Sequence, residues 1–398
     1  MRLRTSALGL GLSMLAAWAA PAAAQTPGVT ATEIKIGSTQ PLSGPASAYG
    51  VVAASTEAYF TRLNEAGGIH GRKITWLPMD DAFTPAKTVE QTRKLVEQEG
   101  VFMIFAPQGT AASSSVTKYL NAKKVPQFFV NSGSHLFQNP KDLPWTVPYL
   151  PTYYGESRIY AKHILANKPD AKVGVLYQND DFGRDYLRGI KAGLGDKAAK
   201  MVISEQGYEV TDPTVDSQIV ALKSAGVDVL LLGSLSKQSS QAIRKIADLN
   251  WKPTIYMSYI SANVSPTFTN AGLDKATGII TATAIKDPTD TRWAGDKDYQ
   301  DWLAWMKKYY PKGDLANMSN VFAYIAANTL EHALRETGKD LTREGLLKTL
   351  STLDYAAPML TPGVKLSFSP NDYNPYRKLQ MQRFDGTKWT LLGEPIGD

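Results

Sequence analysis

Residues 101–106 read VFMIFA and residues 227–233 read VDVLLLG, two short stretches that are apolar almost without interruption. A run this short, with no polar face, suits a strand whose sheet is covered by helices on both sides. The flanking sequence agrees. Before the first run, residues 33–40 (EIKIGSTQ) alternate as a strand, and Val52, Tyr59, Leu63 and Ala66 recur at helical spacing until Gly67-Gly68 stops that helix. Residues 73–80 form the next strand, and Thr84-Pro85 opens a helix with a capping hydroxyl and a proline at its first position, Val89 and Val96 marking its buried face. A helix over 111–122 and a strand over 127–130 follow. The rhythm restarts with a strand over 172–177, a helix over 181–194, a strand over 201–207, and a helix capped by Asp212-Pro213 that carries Val215, Ile219 and Leu222. The second apolar run, a helix over 236–249 and a strand over 254–257 complete the series. Such alternation predicts an α/β chain with two doubly wound parallel sheets, one in each half. Between the halves stand Pro140, Pro144, Pro148 and Pro151, which admit neither a helix nor a central strand and mark a passage from one lobe to the other. After a strand over 278–284 come helices over 298–309, 320–336 and 342–350, then short strands over 378–384 and 388–392 around Asp385-Gly386. That tail is too small to be a domain and must pack on one of the lobes.

With 398 residues, 43% apolar and 20% charged, the chain is globular and long enough for two domains, which excludes disorder and coiled coil. The excess of Lys and Arg over Asp and Glu, 43 against 37, is spread along the chain without a basic stripe, so nucleic acid is not an expected partner. Residues 1–24 hold Arg2 and Arg4, an apolar stretch from 7 to 20, and Ala22-Ala23-Ala24 before Gln25, the pattern of a cleaved secretory signal peptide and too short to span a membrane. No cysteine occurs, which removes disulfides, thiolate metal sites and an N-terminal lipidated cysteine together. A secreted, disulfide-free chain of this size fits the periplasm, where the Asn-x-Ser matches at Asn263 and Asn317 are chance matches.

Ser115-Val116-Thr117-Lys118 matches the S-x-x-K of secreted serine β-lactamases, but no S-D-N or K-T-G accompanies it, so a secreted hydrolase using Ser115 and Lys118 lacks its partners. No G-x-S-x-G elbow, phosphate loop or G-x-G-x-x-G is present. The four histidines are scattered without ligand spacing; neither a metal nor a cofactor is expected, and the chain reads as no enzyme. What remains is a ligand site built from the loops beyond the carboxyl ends of the strands. In the first half these loops are 42–49 with Tyr49, 108–111 with Thr110 and Ala111, and 131–134 with Asn131, Ser132, Gly133 and Ser134. Their hydroxyls and free N–H groups at a helix start suit a carboxylate, and each hydroxyl serves equally as a helix cap. In the second half the loops carry Asn179, Asp180, Asp181 and Phe182, then Ser234 to Ser236, then Ser258, Tyr259 and Ile260, while the passage between lobes adds Tyr153 and Tyr154. Asp181 reads as a helix cap.

Several segments together resemble the periplasmic solute-binding proteins of branched-chain amino acid type ABC transporters, over almost the whole chain after residue 24. They are Ile34-Lys35-Ile36-Gly37 running into Pro41-Leu42-Ser43-Gly44-Pro45, Asn64-Glu65-Ala66-Gly67-Gly68-Ile69-His70-Gly71, Asp80-Asp81, and Tyr177-Gln178-Asn179-Asp180-Asp181-Phe182-Gly183. The resemblance implies a type I periplasmic binding fold, two lobes joined by a three-strand hinge that close on a small ligand. The first lobe would comprise 25–150 plus 282–362 and the second 151–281 plus 363–398. It also implies a monomer that delivers its ligand to a membrane permease, docking through the rims of both lobes; a sensor passing its signal to a membrane receptor is the other use of the same fold. Thr110 matches the serine that holds the ligand carboxylate, with Ala111 as a backbone donor. Asn131 to Gly133 matches the second carboxylate loop, with glycine near the usual threonine, so that either Ser132 or Ser134 supplies the hydroxyl. Tyr49 and Phe182 match aromatic positions beside the ligand. The acidic residue that amino acid members use for the ammonium falls within 258–261, which holds no carboxylate. Either Asp180 or Asp181 takes that role, or the ligand is an aromatic or other organic acid without an amino group.

Overall fold

A computed structural model describes residues 26–397. The 1–24 signal peptide reading lies outside the described residues, among which no helix is long and apolar enough to cross a membrane. The first sheet is wholly parallel, in the order β2-β1-β3-β4-β5, where β1 is Glu33–Gln40, β2 Lys73–Asp80, β3 Met103–Phe105, β4 Gln127–Val130 and β5 Thr146–Pro148. The proline-rich passage therefore still supplies a strand, but an edge strand, where a missing N–H is tolerated. VFMIFA is buried throughout, yet only its centre keeps the ladder.

The second sheet comprises β6 (Val173–Gln178), β7 (Val202–Tyr208), β8 (Val229–Gly233), β9 (Thr254–Met257) and β10 (Ile280–Thr283), all parallel. A two-stranded ribbon, β11 (Asp354–Tyr355) and β12 (Leu366–Ser367), stands apart. Then β13 (Lys378–Phe384) and β14 (Trp389–Gly397) add to β10 as antiparallel strands, giving the order β14-β13-β10-β9-β8-β6-β7. The tail is thus part of the second sheet, burying Phe384 and Trp389 against Phe268.

Helix Ser319–Thr337 returns to the first lobe, where it packs on helix Val51–Glu65 around the Tyr59, Trp305 and Tyr324 rings. The chain therefore passes between lobes three times, after β5, after β10 and before β13. Residues 282–283 pair with Met381 and Gln380 in the second sheet, and residues 366–367 pair with Tyr355 and Asp354 in the ribbon.

Local differences from the sequence reading have local causes. Thr84 does not cap its helix; its hydroxyl donates to the Asp81 carbonyl at 3.1 Å. Asp212 accepts from Glu209 N at 2.8 Å in a turn, and the helix starts only at Asp216. Helix Tyr153–Asn167 was not expected at all. Thr152 caps it, its hydroxyl accepting from Gly155 N at 3.0 Å, and Ile159, Tyr160 and Ile164 form its buried stripe.

Candidate functional site

The loops leaving the carboxyl ends of both sheets meet across a cleft. Tyr49 Oη accepts from Ser236 N at 3.1 Å and lies 3.0 Å from Ser236 Oγ, joining the first lobe to the second. Near the first passage, the buried carboxylate of Asp185 accepts from His135 N at 3.1 Å and is held by the His135 ring and Arg188. Burial acts to raise the Asp185 pKa, but these bonds outweigh it and hold the carboxyl below its ordinary range.

Between the lobes lies a small cavity. One end is polar. Thr110 opens helix Thr110–Ala122, which has no side-chain cap, so its first N–H groups are free for an anion. Thr110 Oγ1 sits 2.8 Å from Ser132 Oγ, and Gln108 and Asn131 line the same end, bonded to each other. Gly109 precedes the helix at φ 91°, and a Cβ there would lie 2.3 Å from the Phe83 ring, so the loop needs glycine. Phe83 also sits in the left-handed region, at φ 58°, its N–H bonded to Asp81 Oδ1 at 2.9 Å.

Gln178 and Asp180 line the cavity from the second lobe. Asp180 Oδ2 accepts from Gln178 Nε2 at 2.6 Å and Oδ1 from Gly183 N at 3.2 Å. Burial nevertheless pushes its carboxyl above the ordinary range. The walls are apolar: Tyr49, Phe83, Tyr153, Phe182, Leu235 and Ile260. A second small hollow shares Tyr49, Gln108, Asn131 and Ile260 with the first and extends along Val52, Leu150 and Phe322. Among the described residues no cluster of side chains suits a metal ion.

Of the residues expected here, Tyr49, Thr110, Asn131, Phe182 and Ile260 line the cavity. Ser132 is fully buried behind Thr110, within hydrogen-bond reach of it. Ser134 turns away, accepting from Leu136 N at 3.4 Å as the cap of a short turn. Gly133 packs on the passage between lobes, and Ala111 is half-buried on the helix beyond Thr110. Three residues stand beside the ones that line the cavity. Ser234 is buried against Ser239 Oγ at 2.7 Å, while Leu235 lines the wall. Tyr154 lies under Arg158, and Tyr153 faces inward, because consecutive helix residues point about 100° apart. Asp181 is exposed as the first helical residue, and Asp180 is the cap. Ser115 donates to the Ala112 carbonyl at 2.6 Å and lines neither hollow.

Glu156 was missed. It is fully buried. Its carboxyl receives Tyr259 N at 2.8 Å and the hydroxyls of Tyr160 and Tyr186. Burial pushes it up to about 8, against those three donors. The acid stays protonated in the fold where an unfolded glutamate ionises, so its contribution to stability is full below about pH 4.5 and is lost as pH rises through about 8. Tyr160 and Tyr186 can turn their hydroxyl protons to the Met257 carbonyl and Ser258 Oγ, leaving room for one donor at residue 156. Glu156→Gln is therefore expected to fold and to flatten the fall in thermal midpoint between pH 5 and 9, as read by circular dichroism; an unchanged pH profile would contradict a protonated Glu156.

Two α/β lobes with their loops converging on a polar-ended cavity define a two-lobed small-molecule binding protein of the type I periplasmic binding fold. The family model for periplasmic binding proteins matches residues 33–388, and the chain belongs to that family. A relative described as Leu/Ile/Val-binding protein homolog 7, from Brucella abortus (strain 2308), is 24% identical over 96% of this chain and 95% of its own. Among solved structures, a branched-chain amino acid ABC transporter protein from Thermus thermophilus with bound valine superposes with a TM-score of 0.81 at 16% identity, covering 92% of this chain and 97% of that one. A fatty acid ABC transporter substrate-binding protein from Thermomonospora curvata gives 0.76 at 22% identity, covering 94% and 95%. These likenesses confirm the fold.

Proposed function

We propose that the protein is a non-enzymatic periplasmic receptor of an ABC importer, closing on a small α-amino acid and handing it to a membrane permease through the rims of both lobes. The observation that carries this reading is the pairing, within one cavity, of a hydroxyl-bearing helix start at Thr110 with an under-compensated carboxylate at Asp180. A carboxylate suits the first and an ammonium the second, because each buried charge then meets its opposite. The remaining wall is apolar and takes the side group. The valine bound by the Thermus thermophilus protein has this chemistry, whereas the fatty acid transporter's namesake ligand lacks the amine.

Calorimetric titration of refolded, ligand-stripped protein with aliphatic and aromatic amino acids, and with their deaminated analogues, tests the reading. An amino acid bound and its deaminated partner ignored supports it. The reverse assigns an amine-free acid and removes Asp180 from the site; heat from neither panel sinks the carboxylate reading. Thr110→Ala removes a hydrogen bond to a charged group, so affinity for the amino acid found is expected to fall about tenfold to a hundredfold with an unchanged thermal midpoint. Unaltered affinity would take Thr110 out of the carboxylate site.

A further inference from the structure

The two Asn-x-Ser matches, Asn263-Val264-Ser265 and Asn317-Met318-Ser319, meet in the fold. Asn263 Nδ2 donates to Asn317 Oδ1 at 2.9 Å, across 54 residues of chain, and Asn263 Oδ1 accepts from Met318 N at 3.2 Å. Both side chains are buried, at 2% and 7% exposure, which rules out a glycan on either. Beside them Ser265 Oγ donates to Asp314 Oδ2, and Ser265 N donates to the Ala316 carbonyl at 3.4 Å.

These bonds run from lobe to lobe. Residues 263–265 follow β9 and lead into the short helical segment that packs on helix Ser236–Asp248 in the second lobe. Residues 314–318 lead into helix Ser319–Thr337, seated on helix Val51–Glu65 in the first. None of Asn263, Ser265, Asp314 and Asn317 lines the cavity. When the lobes part, all these groups face water. Each bond therefore favours closure only by its net worth, roughly a fivefold change in the ratio of closed to open molecules. Because the lobes move as units, the gains act on a single equilibrium, and any ligand that touches both lobes inherits it.

We propose that Asn263 and Asn317, with Ser265 and Asp314, form an interlobe latch that keeps part of the ligand-free population closed and so sets affinity from residues that never touch the ligand. The latch rests on the two-lobe closure proposed above, but not on the identity of the ligand. Asn317 Oδ1 also accepts from Ser319 N at 3.0 Å, at the start of its helix, so Asn263 is the cleaner residue to remove.

The chain has no cysteine, so Lys87→Cys and Lys237→Cys, exposed on opposite lobes, give a unique pair of spin-label sites. Pulsed EPR of the ligand-free protein should show a short and a long distance. Asn263→Ala, which removes two of these bonds, should lower the short-to-long ratio about twenty-five-fold and Ser265→Ala about fivefold, and Asn263→Ala/Asn317→Ala should go no further than Asn263→Ala. A purely structural role would lower the thermal midpoint and leave the distances where they were. Identical distributions in wild type and Asn263→Ala overturn the latch, even if titrations find a ligand. A shifted distribution in a protein that binds neither amino acids nor their deaminated analogues supports the latch and defeats the proposed function instead.

Discussion

Gly133→Ala should lower the thermal midpoint by about 4 °C and abolish binding, the largest effect we expect from a single methyl group. A Cβ at Gly133 would lie 2.1 Å from the Pro151 carbonyl oxygen and 2.9 Å from the Tyr153 ring. Neither neighbour can yield. Pro151 also receives the Tyr259 hydroxyl at 2.9 Å, and Tyr153 N donates to the Gly133 carbonyl at 2.9 Å while its ring stacks on Tyr186. Overpacking of this kind costs about 3 kcal/mol where the backbone is fixed. It would also push the passage between lobes away from the loop that carries Ser132. The close approach of Pro151 and Tyr153 thus requires glycine at this place. Thermal unfolding followed by circular dichroism, with Ser134→Ala as a neighbouring control, checks this. A Gly133→Ala protein as stable as wild type would mean that the passage is far looser than its contacts imply.

Asp180→Asn should weaken binding of the amino acid found by titration about a hundredfold, because a buried ammonium would lose the only carboxylate lining the described cavity. The deaminated analogue should bind the variant no worse than wild type. A pH series adds a signed test. Burial raises the Asp180 pKa, and an ammonium binds only the ionised form, so wild-type affinity should fall as pH drops through that raised value. Below it the loss approaches tenfold per pH unit. The variant should lack this dependence. Equal affinities in the two proteins would detach Asp180 from the ligand.

Much of the architecture was legible because it is written locally. The strands at Glu33–Gln40, Lys73–Asp80 and Lys378–Phe384 and the helix at Asp181–Leu194 coincide with their sequence reading, since alternation, helical spacing and caps are all short-range signals. The cavity was legible to the loop but not always to the residue. Whether Tyr153 or Tyr154, and Asp180 or Asp181, faces inward depends on where a helix begins, and a shift of one residue turns the side chain by about 100°. Thr152 followed by Ile159, Tyr160 and Ile164 was the signal that would have placed the first of these helices. Glu156 and the Asn263–Asn317 pair were out of reach for another reason: their partners are distant in sequence, and nothing near either residue announces a buried acid or a partnered amide.

In the proposed complex the cleft holds an amino acid by its carboxylate at Thr110 and its ammonium at Asp180, with both lobes in contact. A crystal structure of the protein with the tightest-binding amino acid from the titration tests it most directly. The carboxylate should lie within hydrogen-bond distance of Thr110 Oγ1 and the first N–H groups of its helix, the ammonium against Asp180, and the side group between Tyr49, Phe182 and Ile260. A ligand bound to one lobe alone, or with its carboxylate away from Thr110, would contradict it.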